Sequence, residues 1–189
     1  MPKVVDHIQY RRNLLRQSLD LFAEKGYGSL TMRHLAEALG VSTGTLYHYF
    51  PSKESLFIQL IEELTEQDIS NFLSQAPMPP STLARVEAVM DFVLENLDYF
   101  TKQQLLWMDF YQHTHRTLLE CPEILEKLCG KTRQALSDYL QTQNETVLEF
   151  MLIFIDGLLM QRIYGKQDMD WFKAQVTLLC SMIASQLSP

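Results

Sequence analysis

Residues 40–53 of the chain read GVSTGTLYHYFPSK and follow a short segment of helical periodicity, TMRHLAEAL. Gly40 stands where a helix can end, because glycine adopts the left-handed conformation at little cost. Ser42 is a typical N-cap for a second short helix. Pro51 cannot continue that helix, and it biases Phe50 away from helical geometry. The stretch therefore predicts two short helices joined by a tight turn, a helix-turn-helix.

Helical periodicity extends over most of the chain, and no segment shows sustained apolar–polar alternation. The capping-box pairs Thr101–Gln104 and Thr146–Glu149 predict two helix starts in the second half. The pattern predicts an all-α fold of about nine helices, with a three-helix head at 1–52 and a body of longer helices at 53–189. After the head and a long helix that begins at Ser52, the predicted helices lie at roughly 82–98, 102–117, 122–142, 146–164 and 170–187.

The net charge of −7 hides an asymmetry along the 189 residues. Residues 1–60 hold seven Lys and Arg against five acids, whereas the remainder holds nine against eighteen. The acidic body therefore does not exclude nucleic acid as a partner of the head. No export signal or membrane-spanning run is evident, and three cysteines without C-x-x-C spacing are typical of reduced thiols. These features predict a cytoplasmic protein with no membrane partner.

A helix-turn-helix projects the outer face of its second helix, and that face can enter a major groove. Hydroxyl groups and backbone N–H groups suit phosphate oxygens. Arg33, on the preceding helix, is better suited than any residue of the second helix to read a guanine. Leu46 and Phe50 are expected in the core of the head. Tyr49 fits core and DNA equally well on sequence grounds.

Four elements between Leu19 and Leu56 occur in register: F-x-x-x-G-Y, T-x-R-x-L-A, G-V-S-x-G-T-L-Y and F-x-S-K-E-x-L. The segment closely resembles the N-terminal domain of TetR-family transcriptional repressors. This resemblance implies that 1–52 is a DNA-binding domain and that 53–189 binds an effector and dimerises. The resemblance also implies phosphate contacts at Thr31 and Lys53, and it implies that Thr43, Gly44 and Thr45 face the groove. The candidate DNA-binding residues are Thr31, Arg33, Ser42, Thr43, Gly44, Thr45, Tyr47, His48, Tyr49 and Lys53.

Members of this family usually act as homodimers through their last two helices, and many bind a small molecule in the body. Apolar residues at helical spacing in the last two predicted helices provide a possible dimer interface. They are Leu152, Ile155, Leu159, Ile163, Phe172, Val176, Leu179 and Ile183. Aromatic and methionine side chains in the body provide a possible site for a small hydrophobic effector. They are Phe92, Tyr99, Trp107, Met108, Phe110, Tyr111, Met151 and Phe154, although each of these is individually more typical of plain core.

The resulting hypothesis is a one-component transcriptional regulator, a ligand-released repressor that binds a palindromic operator as a homodimer. No catalytic motif, cofactor or metal site is predicted; Asp109 and His113 form an i, i+4 pair without an evident third ligand. Asp156 is expected to pair with Arg162 or a cationic ligand, or to lie at the subunit edge. The alternatives are an enzyme or small-molecule carrier with an incidental helix-turn-helix, and a ligand-independent regulator or activator.

Overall fold

The computed structural model describes residues 6–120, 122–166 and 168–187. Every regular element within these residues is a helix, which confirms the all-α prediction, and they number nine. In chain order they are α1 His7–Lys25, α2 Met32–Ala38, α3 Thr43–Tyr49, α4 Lys53–Gln75, α5 Thr82–Glu95, α6 Leu97–Glu120, α7 Pro122–Leu140, α8 Glu145–Ile163 and α9 Met169–Leu187.

The helices divide into two compact units. The first unit contains the chain up to Gln67 together with Leu106–Pro122. The second contains Asp68–Leu105 and the chain from Glu123 onward. Both α4 and α6 therefore contribute residues to each unit. The predicted division at 52/53 concerns function rather than packing, and it stays a prediction.

Aromatic rings form the centre of the first unit. Phe22 of α1, Phe57 of α4 and Phe110 of α6 are all fully buried. The rings of Phe57 and Phe110 stack with centroids 4.4 Å apart, and Phe22 meets Phe57 edge-on at 5.2 Å. Such pairs contribute about 0.5–1.5 kcal/mol beyond the burial of their area. Three elements distant in sequence are thereby held together next to the helix-turn-helix.

The second unit has a separate aliphatic core contributed by α5, α7, α8 and α9. Its most deeply buried side chains include Met90, Leu140, Met151 and Phe172, each without exposed area. This core is built from helices of 14 to 19 residues, each of which buries one apolar stripe.

The boundary between α5 and α6 differs from the prediction. α5 ends at Glu95 and α6 begins at Leu97, so the predicted helix start near Thr101 is wrong. The Thr101 side chain is buried inside α6, and its hydroxyl donates to the Leu97 carbonyl 2.7 Å away. Asn96 ends α5, with its side-chain amide donating to the Phe92 carbonyl at 2.9 Å.

The predicted cap of α8 is also displaced. Asn144, rather than Thr146, is the N-cap, and its side-chain oxygen accepts from the Val147 amide at 3.2 Å. Asparagine and threonine are both good N-caps, so two candidates so close together are not distinguished by type alone.

Candidate nucleic-acid interface

The turn between α2 and α3 has the local chemistry that the sequence predicts. Thr31 caps α2 by accepting from the His34 amide at 3.2 Å, and Ser42 caps α3 by accepting from the Thr45 amide at 2.9 Å. Gly40 has a φ of 68°, the left-handed conformation that ends α2. The Val41 amide donates to the Ala36 carbonyl at 3.0 Å, which closes the turn. The predicted helix-turn-helix is confirmed in each of these features.

The inner side of α3 anchors it to the first unit. Leu46 and Phe50 have no exposed area, as predicted, and Leu35 and Ala36 of α2 are equally buried. Ala36 brings α2 close to α3 because its side chain is small. The buried side of α3 is therefore fixed to the first unit, and its remaining side chains lie on the opposite, outer side.

The outer side of α3 is polar and carries no acidic residue. Tyr47 exposes 50% of its surface. Arg33 is exposed on α2. The candidate residues Thr31, Ser42, Thr43, Gly44 and His48 are also exposed, while Thr45, Tyr49 and Lys53 are half-buried. Nine of the ten candidates thus lie on the two helices of the motif or at their N-caps, and Lys53 lies at the start of α4.

Tyr49 is held by α1, a contact that the sequence does not reveal. Its hydroxyl lies 2.7 Å from Nδ1 of His7, and its ring centroid lies 5.5 Å from that of Tyr10. The ring also meets His48 edge-on at 5.1 Å. The first turns of α1 therefore fix the orientation of the last residue of α3. Tyr49 as a DNA contact stays a prediction.

Lys53 lies at the start of α4, but its ammonium group points into the protein. Nζ donates to the carbonyls of Tyr27 and Leu30, both at 2.7 Å, and lies 4.0 Å from the centre of the Tyr27 ring. Burial lowers the pKa of Lys53, and the nearby Asp109 carboxylate partly opposes that shift. Two of its three N–H donors are thus used by the protein. A phosphate contact through the third stays a prediction.

The arginines of α1 are largely paired with α4. Arg12 and Arg16 both approach Glu63, at 3.4 and 3.8 Å, and Arg11 donates to the Gln59 side-chain oxygen. The basic surplus of the head is therefore partly neutralised at its surface. The sequence alone shows the arginines but not the carboxylate that reaches them from a distant helix.

The candidate effector residues are divided between the two units. In the first unit, Phe110 is fully buried in the aromatic core, Trp107 and Met108 are half-buried and Tyr111 is exposed. In the second unit, Met151 is fully buried in the aliphatic core, Phe92 and Phe154 are half-buried and Tyr99 is exposed. Phe110 and Met151 fulfil the plain-core alternative. A shared effector site for the rest stays a prediction.

Tyr99 also binds a partly buried carboxylate. Its hydroxyl donates to Asp68 at 2.9 Å, and the Gln103 amide donates to the other Asp68 oxygen at 3.0 Å. Burial raises the pKa of Asp68, and these two hydrogen bonds oppose the shift. Burial and the Asp68 charge both raise the pKa of Tyr99. This polar cluster belongs to the second unit and was missed by the sequence analysis.

A cavity of about 810 Å³ opens in the second unit between α5 and α9. Its floor is apolar, with Leu94 and Val176, and its α5 side carries Glu87 and Asp91. None of the candidate effector residues lines it.

The candidate dimer residues point inward. Leu159, Phe172, Val176, Leu179 and Ile183 are all buried in the core of the second unit. The other three candidates, Leu152, Ile155 and Ile163 of α8, are half-buried. Side chains already buried within one chain offer little surface to a partner, and a dimer contact through these helices stays a prediction. The exposed apolar residues of the two helices include Phe150, Ile153, Leu178 and Met182, and Tyr164 at the C-cap of α8 is exposed as well.

Other expected features have the following outcomes. Arg162 pairs with Asp98, with nitrogen–oxygen distances of 2.7 and 2.9 Å, so the expected Asp156–Arg162 pair is wrong. Among the described residues, no three His, Cys, Asp or Glu side chains gather as a metal site. Within the same residues, no helix is both long and apolar enough to cross a bilayer. Cys129 and Cys180 are free thiols; Cys121 lies outside the described residues.

Comparison with known proteins places the helix-turn-helix in a family. Residues 14–60 match the profile of the bacterial regulatory proteins of the tetR family. The HTH-type transcriptional repressor Rv1474c of Mycobacterium tuberculosis is 46% identical over 72 residues, 35% of this chain and 37% of that protein. The repressor KstR2 of the same species is 26% identical over 110 residues, 58% of this chain and 55% of that protein. The chain thus spans little more than a third to about half the length of these curated relatives.

Solved structures extend the likeness to the whole fold. A TetR transcriptional regulator from Rhodococcus sp. RHA1 matches with a TM-score of 0.70 and 22% identity, over 96% of this chain and 100% of that one. At this identity the match concerns the arrangement of helices alone. Residues 14–60 are thus similar to the helix-turn-helix domain of the tetR family of bacterial regulatory proteins.

Proposed function

We propose that the protein is a one-component transcriptional regulator that binds a palindromic operator as a homodimer and is released by a small hydrophobic effector. The observation that carries the proposal is the outer side of α3. It presents hydroxyl, imidazole and phenol groups on a helix whose inner side is anchored by Leu46 and Phe50. Such a helix can enter a major groove without rearrangement of its own core.

The chemistry of this surface favours DNA over a small substrate. Thr43 and Tyr47 can donate hydrogen bonds to phosphate or to base edges, and Gly44 leaves space for close approach. Arg33 is exposed beside them and can donate two parallel hydrogen bonds to a guanine. We assign groove contacts to Thr43, Thr45, Tyr47 and His48. Thr31 and Ser42 are assigned to phosphate contacts.

A two-fold dimer would present two α3 helices to successive turns of a palindrome, about 34–36 Å apart. We propose that its interface uses the exposed side of α8 and α9 rather than the buried stripe. Phe150, Ile153 and Gly157 on α8 and Tyr164 at its C-cap follow one another at intervals of three, four and seven, and all are exposed. Leu178 and Met182 lie one helical turn apart on α9, exposed by 56% and 49%. Large apolar side chains in such a group are typical of a surface that a partner covers.

The effector part of the proposal rests on the half-buried aromatic residues of the body. Within the second unit, Phe92 and Phe154 provide apolar surface, and Tyr99 with Asp68 provides a polar group. An effector that binds better to the spread form of the dimer would lower the population that fits the operator.

DNA binding can be tested with Tyr47→Ala and a matched control, Tyr111→Ala. Both tyrosines are exposed in the first unit, by 50% and 40%, but only Tyr47 lies on α3. Duplex DNA covering the region upstream of the protein's own coding sequence serves as the probe, with fluorescence anisotropy measured over a range of salt concentrations. We expect Tyr47→Ala to weaken DNA binding roughly fivefold, which corresponds to the free energy of about one hydrogen bond. Tyr111→Ala should bind DNA as the wild type does.

The same titration separates the alternatives. An enzyme or carrier with an incidental helix-turn-helix would show no sequence-specific, salt-sensitive binding to any duplex. A ligand-independent regulator would bind the operator, but hydrophobic compounds would neither raise its melting temperature nor release it from DNA.

A further inference from the structure

The short connection between α1 and α2, Gly26–Leu30, is contacted from two sides by side chains of the first unit. We call it the 26–30 turn. Lys53 holds one side through the carbonyls of Tyr27 and Leu30, both at 2.7 Å. α6 holds the other side through Asp109 and His113. None of the candidate DNA contacts belongs to α6.

Asp109 satisfies a backbone group that α1 leaves without a helical partner. The Gly26 amide donates to the Phe22 carbonyl and completes α1. The next amide, that of Tyr27, donates to the Asp109 carboxylate at 2.5 Å. Tyr27 is only 4% exposed, so this amide would otherwise be buried without an acceptor. Loss of an acceptor at such a site costs about 1–3 kcal/mol.

His113 fills the space beside the next residue. A Cβ atom on Gly28 would lie 2.1 Å from Nε2 of His113, so the imidazole rests directly on the backbone of the turn. The ring is itself fixed: its Nδ1 lies 2.8 Å from the Asp109 carbonyl oxygen and 3.2 Å from a carboxylate oxygen of the same residue. Asp109 thus positions both the Tyr27 amide and the imidazole.

The position of the turn determines where the helix-turn-helix begins. Thr31, the N-cap of α2, follows Leu30 directly. The Tyr27 ring packs edge-on against Phe110 of α6, with centroids 4.9 Å apart, and against Phe57 of α4 at 5.3 Å. A shift of the 26–30 turn therefore moves the start of α2 relative to the elements on which α3 is anchored.

From these contacts we infer that Asp109 and His113 are positioning residues for DNA binding. They hold the 26–30 turn, and through it α2 and α3, in the orientation that meets the groove. The inference rests on the proposed function but concerns two residues of α6 that do not touch DNA. It predicts that operator affinity depends on a carboxylate outside the contact surface.

The test compares Asp109→Ala, Asp109→Asn and the control Asp98→Ala. Asp98 lies on the same helix, is exposed and pairs with Arg162 in the second unit. Two quantities are measured on the full chain: hydrogen exchange at the Tyr27 amide, and affinity for the upstream duplex over a range of salt. For Asp109→Ala we expect exchange at least tenfold faster and affinity about tenfold weaker. The salt slope should not change, since no phosphate contact is lost.

Asp109→Asn is the conservative rescue, because its amide oxygen can still accept from the Tyr27 amide. It should keep most of the protection and the affinity, and Asp98→Ala should keep both in full. A folded Asp109→Ala that binds DNA as wild type does would overturn the inference. An equal acceleration of hydrogen exchange at the Tyr27 amide in Asp98→Ala would also overturn it, because the effect would then be general to α6.

Gly28→Ala provides an independent arm if Asp109→Ala does not fold. Its methyl group collides with the imidazole and should weaken DNA binding, whereas Gly28→Ala with His113→Ala should recover part of the loss because the space is freed. Absence of that recovery would overturn the role of His113. A wild-type protein that binds no duplex would instead overturn the proposed function. In that case, slow hydrogen exchange at the Tyr27 amide that becomes fast in Asp109→Ala would still show that Asp109 holds the 26–30 turn.

Discussion

Two glycines in helix interiors give a sharp test of the proposed dimer surface. Gly157 lies in the exposed side of α8, seven residues after Phe150 and four after Ile153. Gly130 lies in α7, outside the two helices of the proposed interface. In the single chain a Cβ atom at either position meets no other atom within 4 Å. The substitutions Gly157→Ala and Gly130→Ala therefore differ only in what a second subunit brings.

The expected magnitude follows from helix propensity. Alanine is more favourable than glycine in a helix interior by about 0.8–1 kcal/mol, so both variants should be more stable if the protein unfolds as a monomer. For a chain of this size, 1 kcal/mol corresponds to a rise of about 2–4 °C in melting temperature. Gly130→Ala should show that rise at every protein concentration.

Gly157→Ala should behave differently if α8 crosses its partner there. A methyl group forced into a close helix crossing costs about 1–3 kcal/mol, which raises the dimer dissociation constant about 5- to 150-fold. Sedimentation velocity over a concentration series measures that constant, and melting at two concentrations measures its effect on stability. Equal gains for the two variants, with unchanged dissociation, would refute the placement of Gly157 at the crossing.

Three further substitutions test single contacts. Lys53→Ala should lower the free energy of unfolding by about 2–4 kcal/mol, because two charge-assisted hydrogen bonds to buried carbonyls are lost; urea denaturation measures it. Asp68→Asn loses one accepted hydrogen bond at every pH, but its stability relative to wild type should rise as pH rises above 3.8. Burial raises the pKa of Asp68, so the folded state binds the extra proton and wild-type stability falls as that proton is lost. Ser42→Ala should cost about 1 kcal/mol of stability through loss of the α3 cap, measured by thermal denaturation.

Each of these has a matched control or a contrary outcome. Lys102→Ala, at an exposed lysine of α6, should leave the unfolding free energy unchanged. If Lys53→Ala instead weakens DNA binding without loss of stability, its ammonium acts on phosphate. For Asp68, a stability difference between Asp68→Asn and wild type that does not change with pH would contradict the burial argument. A Ser42→Ala protein with full stability would show that tertiary contacts alone hold α3.

The features predicted correctly from sequence are those decided by neighbours in the chain. Thr31 and Ser42 cap helices because a hydroxyl reaches an amide three residues ahead, and Gly40 ends α2 because its own φ is positive. Leu46 is buried on the inner side of α3, and Phe50 is buried at its C-cap. The Thr101–Gln104 pair fits the same local pattern, yet it lies inside α6. Local chemistry makes a capping box possible, but the packing of Leu97 and its neighbours determines where the helix begins.

The features that escaped prediction depend on partners distant in sequence. α9 has two apolar sides, one with Phe172 and Leu179 and another with Leu178 and Met182. Periodicity identifies both sides, but it does not say which one meets the core. Lys53 gave a similar difficulty. The family resemblance implies a phosphate contact for it, and only the fold brings the backbone carbonyls of Tyr27 and Leu30 to its ammonium group.

The pairing of cations around the helix-turn-helix bears on how the protein can hold DNA at all. Arg12 and Arg16 share Glu63, and Lys53 is engaged by carbonyls, so their charges are already partly balanced before DNA arrives. Exposed ion pairs of this kind are weak, about 0–1 kcal/mol, and DNA could compete for the arginines at little cost. The lysine is different, because its two carbonyls would lose a buried donor. We infer that Arg12 and Arg16 contribute fully to phosphate binding only after releasing Glu63, whereas α3 and Arg33 meet the groove as they stand. The order of affinity loss on substitution should therefore place Tyr47 and Arg33 before Arg12, and a stronger effect of Arg12→Ala would contradict it.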